Sequence, residues 1–446
     1  MDLLIEKAKE LNYFEDLYSV PREIFRINIE NKTIKLKKEH YSNINIGLLN
    51  VPCGGFGDII ACKTFHDYLI QWYPTANIYI CTTNIDGYRS IGVNTKNMIQ
   101  LTNKGDIDCP PFDKLKIPKK IKFDILINVP VVKRTFYIDE LIPLIPYATY
   151  FNTFTVSEYN GLLGPYTMPI GVGTSNGQSN MGLLLNDMKV KKHNIIKSPY
   201  AVIYIQPPGP SHTGAWGVHG NYCFLTYIHM ICKKYKYRLL SIIIPGWITD
   251  IIRCYVTDPQ PGTCYKVHRL LKEYTKNYGK IILIDENNIN YIIKDDGPNK
   301  LILRGDILPK PRDQFISLIK YSIKDVLLTG DQSITDALSC CRTKNIWYQI
   351  APWKIDFAKS MAKHIPNKYY ESYRTSCGSI KAINYNSDYN KLLKNFDFRK
   401  NGKSTMDSII LANYYKNEHH IKSYMKIVNN SRTINSVINK LEKYKI

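Results

Sequence analysis

NVPCGGFGDIIACKTFHDYLIQWYP, residues 50–74, joins an apolar run to an amphipathic run through three glycines and an aspartate. The apolar run INIGLLNV, residues 44–51, predicts a buried strand. Beyond the glycines, apolar residues recur at helical spacing until Pro74, where we expect the helix to end. This stretch therefore predicts a strand, a glycine-rich turn and a helix, which is the first step of an alternating α/β fold.

The same alternation continues on both sides of a polar segment. Apolar runs at 77–83, 98–102 and 123–129 predict further strands, and the pattern at 134–145 predicts a helix. Residues 150–195 are rich in Gly, Asn, Thr and Ser and interrupt the rhythm. A second series of apolar runs predicts strands at 200–206, 238–244, 280–285, 325–330 and 345–350. Strands that alternate with helices indicate parallel sheets covered on both faces.

This pattern predicts two Rossmann-like, doubly wound α/β domains with additional segments at both ends of the chain. The predicted divisions are an N-terminal extension at 1–44, a first domain at 45–195, a second domain at 196–365 and a basic helical tail at 366–446.

The composition indicates a soluble cytoplasmic protein. No apolar run approaches the roughly 20 residues that a membrane-spanning helix needs, and the acidic N-terminal segment lacks the features of a signal peptide. The 11 cysteines are scattered without a CxxC pair, which predicts reduced thiols that serve as small buried residues. The histidines show no paired ligand spacing, so we expect no metal site.

The net charge of +22 is unevenly distributed along the chain. Residues 351–446 hold 18 basic and 7 acidic residues, which gives a net charge of +11. Such a segment fits an anionic partner, namely nucleic acid, an anionic lipid surface or a phosphorylated ligand. A solvated lysine-rich surface explains the same composition, so both interpretations stay open.

The first candidate site is the turn formed by Gly54, Gly55, Phe56, Gly57 and Asp58. Its glycines allow a ligand to approach the backbone closely, and the start of the following helix favours anions. In open parallel sheets, ligands bind beyond the carboxyl ends of the strands, where this turn is predicted to lie. A carboxylate at a helix start also serves as a cap, so Asp58 has a structural as well as a chemical interpretation.

The second candidate site follows the predicted strand at 325–330. That strand ends in Gly330, and hydroxyl, amide and carboxylate groups open the next helix. The N–H groups of a first helical turn suit a diphosphate, and a well-capped helix uses the same residue types. The side chains concerned are Asp331, Gln332, Ser333, Thr335 and Asp336.

Two further turns are predicted at the same edge of the second sheet. The strand at 238–244 ends in a Pro-Gly turn that includes Gly246, and the strand at 200–206 leads into a Gly/Pro-rich loop. An aromatic ring in that loop is able to stack on a base or sugar, although packing is the simpler explanation. The candidate donor-binding residues of the loop are Pro207, Gly209, Ser211, His212, Thr213 and Trp216.

Four segments, taken in order, resemble the ADP-heptose:lipopolysaccharide heptosyltransferase family. They are GGFGDIIACKTFHDYLIQWYPTANIYICTT (54–83), FDILINV (123–129), YIQPPGPSHTGAW (204–216) and DQFISLIKYSIKDVLLTGDQSITDALSCC (313–341). Each motif is degenerate, so the resemblance rests on their order and spacing.

The resemblance implies a GT-B glycosyltransferase, in which two Rossmann-like domains face a central cleft. The second domain would hold a nucleotide-sugar donor, and such enzymes usually need no metal or other cofactor. The family's general base, the aspartate of the Gly-Asp turn, corresponds to Asp58. The donor-phosphate turn corresponds to Gly330, Asp331, Gln332 and Ser333.

Two departures from the family pattern concern the donor. The Lys-Arg pair expected in the loop at 207–217 is absent, and His212 and Thr213 stand near its place. The histidine expected in the helix that follows Asp331 is replaced by Asp336 or a neighbour. The identity of the donor therefore stays open, as does the acceptor, which is a glycan, a protein or a nucleic acid.

A second hypothesis is a non-catalytic, nucleic-acid-binding protein on the same scaffold. The basic segment at 351–446 and the 34 tyrosines motivate it, because basic grooves with aromatic side chains bind single strands. A glycosyltransferase that modifies nucleic acid would combine the two hypotheses. Salt separates them, since nucleic-acid binding weakens steeply with salt.

Overall fold

The computed structural model describes residues 35–52, 56–101, 123–131, 153–157, 159, 167–175, 178–206, 223–257, 263–349, 354–364, 372–382 and 393–415. The chain divides into two compact units. Unit 1 contains residues 1–89, 93–184 and 396–446, and unit 2 contains residues 90–92 and 185–395. Each unit is built on its own sheet, so the predicted α/β class is confirmed.

Helices separate many of the successive strands in both units, as the alternating pattern predicts. The helices of the described residues are α1 (Lys38–Tyr41), α2 (Gly57–Trp72), α3 (Ile85–Ser90), α4 (Cys223–Lys234), α5 (Gly246–Thr257), α6 (Thr263–Tyr274), α7 (Arg312–Tyr321), α8 (Asp331–Cys340), α9 (Ile355–His364) and α10 (Phe398–Tyr415).

Nine strands coincide with predicted apolar runs, whereas three parallel strands and the hairpin strands were not predicted. Residues 150–195, which were predicted to interrupt the alternation, contain two of those parallel strands. In unit 1 they are β1 (Asn45–Asn50), β2 (Asn77–Thr82), β3 (Ile99–Gln100), β4 (Ile125–Val131), β5 (Thr153–Ser157), β6 (Thr167–Met168), β7 (Thr174–Ser175) and β8 (Gln178–Ser179). In unit 2 they are β9 (Tyr200–Tyr204), β10 (Leu239–Ile243), β11 (Lys280–Ile284), β12 (Asn290–Asp295), β13 (Lys300–Arg304), β14 (Asp325–Leu328), β15 (Asn345–Tyr348), β16 (Ser372–Thr375) and β17 (Gly378–Ala382).

The main sheet of unit 1 has the strand order β3-β2-β1-β4-β5-β6 and is parallel throughout. Doubly wound sheets that bind dinucleotides have this order. The chain moves outward from β1 to β3 and then returns to the other side of β1 with β4. The topological switch point therefore lies between β1 and β4, where the carboxyl ends of the strands leave a crevice.

The core of unit 1 lies around β1 and α2. Ile46 and Leu48 of β1 are fully buried, and Gly47 stands between them because a Cβ there would come within 2.9 Å of the Phe123 ring. Helix α2 buries the face that contains Phe65. Burial of an aromatic or large aliphatic side chain contributes about 1.5–3 kcal/mol, so this packing fixes the helix that carries Asp58.

Helix α10 is part of unit 1 although it lies near the end of the sequence. The Phe398 ring packs edge-on at 5.9 Å from Phe65, and the Tyr73 hydroxyl donates to Asp407 at 2.6 Å. Burial and the Asp407 carboxylate raise the pKa of Tyr73 well above its ordinary value, so the hydroxyl keeps the proton that it donates. The chain thus completes unit 1 with a segment that follows unit 2.

The sheet of unit 2 has the strand order β12-β11-β13-β10-β9-β14-β15-β17-β16. The six strands from β11 to β15 in this order are parallel, whereas the edge pairings of β12, β17 and β16 are antiparallel. Five neighbouring strands of this sheet lie in the order β13-β10-β9-β14-β15. If they are numbered from β9 along the chain, this is the order 3-2-1-4-5 with which a doubly wound sheet begins. The switch point of this unit lies between β9 and β14.

Residues 366–446 depart from the predicted helical tail. Within them β16 and β17 form a hairpin, and β17 pairs with β15 at the edge of the sheet. Gly378 allows the tight turn because its φ of +118° strains any residue with a side chain. The sequences of these two strands, SYRT and GSIKA, are mostly polar, so no apolar run marks them. Residues 134–145 and 416–446, both predicted to be helical, lie outside the described residues.

Candidate functional site

The first strand-to-helix turn of unit 1 carries Asp58. Helix α2 begins at Gly57, and its N-cap residue is Phe56, whose backbone angles are already helical (φ −94°, ψ −3°). Asp58 is therefore the second residue of the helix and not its cap. Its half-buried carboxylate lies in the first turn, where the helix dipole stabilises negative charge.

Asn50, the last residue of β1, holds this turn in place. Its side chain is fully buried, and Nδ2 donates to the backbone oxygen of Val129 at 2.8 Å and to that of Asp58 at 3.4 Å. Oδ1 accepts hydrogen bonds from the hydroxyls of Tyr88 at 2.9 Å and Thr82 at 3.4 Å. One amide therefore joins β1, β2, β4, α2 and α3 directly beneath the candidate base.

The backbone around the start of α2 is open to approach. Gly57 is exposed, and a Cβ at this position would meet no atom of the described residues within 4 Å. A ligand is thus able to reach the helix start beside Asp58 without displacing a side chain there. Phe56 is half-buried, and the candidate residues Gly54 and Gly55 lie outside the described residues.

The corresponding turn of unit 2 joins β14 to α8. Gly330 is the N-cap residue and has extended backbone angles (φ −71°, ψ 131°). The helical hydrogen bonds begin with Ile334 N donating to Gly330 O at 2.9 Å, and Ser333 Oγ donates to the same oxygen at 2.7 Å. The N–H groups of the first turn come before these bonds and have no acceptor within the helix. Such N–H groups bind anions at helix N-termini.

Asp331 does not cap α8 but forms an ion pair at the carboxyl edge of the sheet. Its Oδ2 accepts a hydrogen bond from Lys354 Nζ at 3.0 Å, and its Oδ1 accepts one from the Tyr348 hydroxyl at 3.0 Å. The Lys354 and Asp331 side chains are only 11% and 12% exposed, so water screens the pair weakly. Burial and the Asp331 carboxylate raise the pKa of Tyr348 well above its ordinary value, which keeps the hydroxyl a donor.

Asp336 joins three segments of unit 2 by hydrogen bonds. Its carboxylate, only 1% exposed, accepts a bidentate pair from Arg312 at 3.0 and 2.6 Å. It also accepts hydrogen bonds from Asn186 at 2.6 Å and Gln332 at 3.1 Å. Thr335 is buried too, and its hydroxyl donates to the backbone of α8. These three candidate residues of α8 therefore hold the helix in place, and the accessible part of the corner is Gly330 and Asp331.

The other candidate residues of unit 2 lie near β9 and β10. Gly246 is the first residue of α5, and a Cβ there would meet no atom within 4 Å. The neighbouring Trp247 donates from Nε1 to Ile205 O at 3.0 Å, so its ring packs inside the unit. The loop candidates Pro207, Gly209, Ser211, His212, Thr213 and Trp216 lie outside the described residues.

Two more carboxylates at this edge of the sheet are engaged in turns. Asp285, which follows β11, accepts backbone hydrogen bonds from Asn287 at 2.9 Å and Ile289 at 2.8 Å. Asp306, which follows β13, binds Arg304 in a bidentate pair at 2.7 and 2.6 Å. The carboxyl edge of unit 2 is thus rich in carboxylates, and Asp331 is the one at the switch point.

Sequence reasoning missed three residues that shape these corners. Asn50 is a polar residue within an apolar strand, and this contrast in the sequence indicates a buried polar side chain that binds neighbouring segments. Lys354 and Tyr348 reach Asp331 because β15 lies beside β14, and this adjacency cannot be read from local sequence.

Comparisons with known proteins give no family assignment. A scan against models of known families finds no match, and a search of curated proteins finds no significant match. Among the described residues, no three His, Cys, Asp or Glu side chains come together as a metal ion would require. No helix in the described part of the chain is long and apolar enough to cross a membrane.

Proposed function

We propose that this protein is a GT-B glycosyltransferase that moves a sugar from a nucleotide-sugar donor to an acceptor hydroxyl. The observation that carries the proposal is the repeated corner. In each unit a Gly-Asp pair stands at the start of the helix that follows a central parallel strand. Both corners adjoin a switch point, which is where open α/β sheets bind ligands.

Unit 1 supplies the acceptor side in this proposal, with Asp58 as the general base. Glycosyl transfer needs a group that takes the proton of the acceptor hydroxyl while the new bond forms. Asp58 has a carboxylate, a partly exposed side chain and a backbone held by the buried Asn50. The open backbone at Gly57 leaves room for an acceptor beside it.

Unit 2 supplies the donor side. A departing nucleoside diphosphate needs positive charge, and the sequence lacks the Lys-Arg pair that the family resemblance implies. Lys354 is a cation at the same edge as the start of α8, and the helix N-terminus adds its own partial positive charge. A diphosphate bound there would share Lys354 with Asp331 or replace Asp331 as its partner.

A thermal-shift screen tests the proposal. The full chain is melted with UDP, GDP, ADP, CMP and their sugar conjugates, alongside Asp331→Ala and Lys354→Met. Asp296→Ala, which removes an exposed carboxylate in a turn, is the matched control. We expect one nucleotide to stabilise the wild type and the control, since a ligand at 100 times its Kd adds about 2.7 kcal/mol.

The two site variants distinguish an effect on nucleotide binding from an effect on the stability of the free protein. Lys354→Met is expected to lose the nucleotide shift, because it removes the cation that meets the diphosphate. Asp331→Ala is expected to weaken it and also to lower the melting temperature of the free protein, because Lys354 then lacks its partner. If no nucleotide or nucleotide sugar shifts the melting temperature of the wild type, the glycosyltransferase proposal fails.

A further inference from the structure

The amino-terminal edge of the sheet in unit 2 is lined by basic residues. Its six parallel strands all begin at this edge, and each begins with a lysine or arginine or follows one within three residues. In order across the sheet these residues are Lys280, Lys300, Arg238, Lys197, Lys324 and Lys344, which we call the basic edge. Because neighbouring strands are about 4.8 Å apart, the row extends over roughly 24 Å.

Nearby carboxylates neutralise only part of the basic edge. Asp325, at the start of β14, is fully buried and forms an ion pair with Lys234 at 2.8 Å. At one end of the row, Lys280 pairs with Asp295 at 2.6 Å. The exposed members that make no salt bridge within the described part of the chain are Lys197, Arg238, Lys300 and Lys324.

The opposite edge of the same sheet carries aspartates that are paired with cations. The carboxyl ends of three parallel strands are followed by Asp285, Asp306 and Asp331. At the carboxyl edge the cations Arg253, Arg304 and Lys354 are paired with these aspartates, whereas the four exposed cations of the basic edge make no salt bridge within the described residues. This difference marks the basic edge as a surface suited to a polyanion.

Aromatic side chains are interleaved with these cations. Residues Lys233–Arg238, which precede β10, read KKYKYR. The rings of Tyr235 and Tyr237 are stacked, with centroids 5.9 Å apart and planes 5° from parallel, and Tyr237 is 38% exposed. Tyr321, at the end of α7, is 39% exposed. Planar rings beside cations are the combination that binds unpaired bases.

A cavity of about 490 Å³ opens where the basic edge reaches β14 and β15. Lys344 is buried beside it, and its Nζ donates to the backbone oxygens of Ser322 and Ile323. The amide of Asn345 donates to Asp325 at 3.1 Å, so the cationic and hydroxyl groups of Lys324, Arg342 and Thr343 are the donors suited to phosphate oxygens. The lining residues are Lys324, Arg342, Thr343, Lys344 and Asn345.

We infer that the basic edge binds a single-stranded nucleic acid, with phosphates along the row of cations and bases stacked on Tyr237 and Tyr321. Charge alone fits any polyanion, but exposed aromatic faces add a contact that bases use and that anionic headgroups do not. The basic edge lies at the end of the strands opposite to Asp331. Nucleic-acid binding and nucleotide-sugar binding are therefore separable by mutation.

The test uses fluorescence anisotropy of the full chain with labelled 20-nucleotide oligomers of deoxythymidine and of uridine, between 50 and 200 mM salt. The edge variant combines Arg238→Gln, Lys300→Gln and Lys324→Gln. We expect at least a 10-fold loss of affinity at about 100 mM salt, and a fall of roughly 2 in the slope of log K against log salt, because each phosphate contact on a single strand contributes about 0.7.

The matched control combines Arg269→Gln, Lys310→Gln and Lys359→Gln, which remove the same charge away from the starts of the parallel strands. This control is expected to keep the affinity and the slope of the wild type. Tyr237→Ala is expected to lose about 10-fold in affinity with an unchanged slope, because stacking involves no phosphate contact. The melting temperature of each variant is measured to check that the variant is folded.

Three outcomes would overturn the inference. Equal binding by the edge variant and its control would assign the affinity to another part of the chain, such as residues 416–446. Wild-type affinity in Tyr237→Ala would leave a charge interaction without base stacking. Binding to phosphatidylserine vesicles without binding to either oligomer would make the partner a membrane. In each of these outcomes we expect the edge variant to show the same nucleotide-induced thermal shift as the wild type. The nucleic-acid proposal is therefore able to fail without the glycosyltransferase proposal, and the reverse also holds.

Discussion

Gly57-Asp58 in unit 1 and Gly330-Asp331 in unit 2 each place an aspartate in the first turn of the helix that follows a central parallel strand. In unit 1 the polar support comes from Asn50 and reaches the backbone oxygen of Asp58 at 3.4 Å. In unit 2 the support comes from Lys354 and Tyr348 and reaches the Asp331 carboxylate itself.

In the two units, polar side chains therefore bind different parts of the aspartate, namely the backbone in unit 1 and the carboxylate in unit 2. An aspartate whose backbone oxygen is held by a buried amide keeps a fixed position, which suits proton transfer. A carboxylate bound to a lysine and a tyrosine suits a charge-balanced site, in which an incoming anion alters the pairing. This contrast is the reason that we propose the base in unit 1 and the diphosphate site in unit 2.

The largest expected effect is on turnover. Asp58→Asn keeps the shape of the side chain but removes the base, so sugar transfer should fall by roughly 10²–10⁴-fold while the nucleotide-induced thermal shift stays. Asp67→Asn on the same helix is the matched control, since its carboxylate is 51% exposed and pairs with Lys63. Transfer is measured as nucleoside diphosphate released. Equal turnover in the two variants would leave Asp58 as a residue that only stabilises the helix start.

The next largest effect is on the stability of unit 1. Asn50→Leu leaves the buried hydroxyl of Tyr88 and the oxygen of Val129 without the amide partner, which should lower the free energy of unfolding by about 3 kcal/mol. Asn77→Ala, which removes a hydrogen bond at an exposed position of β2, should change it by less than about 0.5 kcal/mol. Urea unfolding measures both, and a cost below about 1 kcal/mol for Asn50→Leu would contradict the role given to its amide.

Much of this architecture could be predicted from the sequence, because apolar runs and helical spacing are local properties. The strands β1, β2, β3, β9, β10, β11, β14 and β15 fall within predicted apolar runs, and β4 begins within one and ends two residues beyond it. The hairpins could not be predicted, since β12 and β16 owe their strand structure to pairing with β11 and β17. Short strands at a sheet edge carry little periodicity of their own.

The candidate site was predicted only in part for a similar physical reason. Glycines and aspartates at the two turns are visible in the sequence because they are local to one strand-to-helix connection. Lys354 lies 23 residues from Asp331 and meets it only because β14 and β15 are neighbours. The basic edge was likewise hidden, since its members are scattered along the chain and are brought together by the parallel order of the strands.

A moderate effect is expected from acid, and it concerns unit 2. Burial, aided by Lys272, lowers the pKa of His268 from 6.5 to about 4. Between these two pH values the unfolded chain binds a proton that the folded chain does not, so stability falls as pH falls. The free energy of unfolding should drop by about 2 kcal/mol between pH 7 and pH 5 through this group. His268→Gln should flatten that part of the pH profile.

The control for the acid effect is His193→Gln, whose parent histidine is 36% exposed and pairs with Asp313. This variant should retain the steep fall of stability below pH 6.5. Identical pH profiles for the two histidine variants would mean that another group causes the acid sensitivity of unit 2.

The smallest expected effect is the coupling between Asp331 and Lys354. In a double-mutant cycle of Asp331→Asn and Lys354→Met, we expect a coupling energy of about 1 kcal/mol, since weakly exposed pairs reach the upper end of the range for surface pairs. Thermal or urea unfolding of the four proteins measures it. The pair Lys403 and Asp407 on α10, whose lysine is 41% exposed, should give less. A coupling near zero for Asp331 and Lys354 would remove the contrast between the two corners.

The return of the chain to unit 1 has a consequence during synthesis on the ribosome. Tyr73, which binds Asp407 of α10, is made 334 positions before it, with all of unit 2 in between. At translation rates of about 5–20 residues per second, Phe65 waits roughly 20–70 s for Phe398 to be made. Unit 2 is complete before unit 1 is able to close, and a ribosome that stops before residue 396 releases a first unit without its last helix.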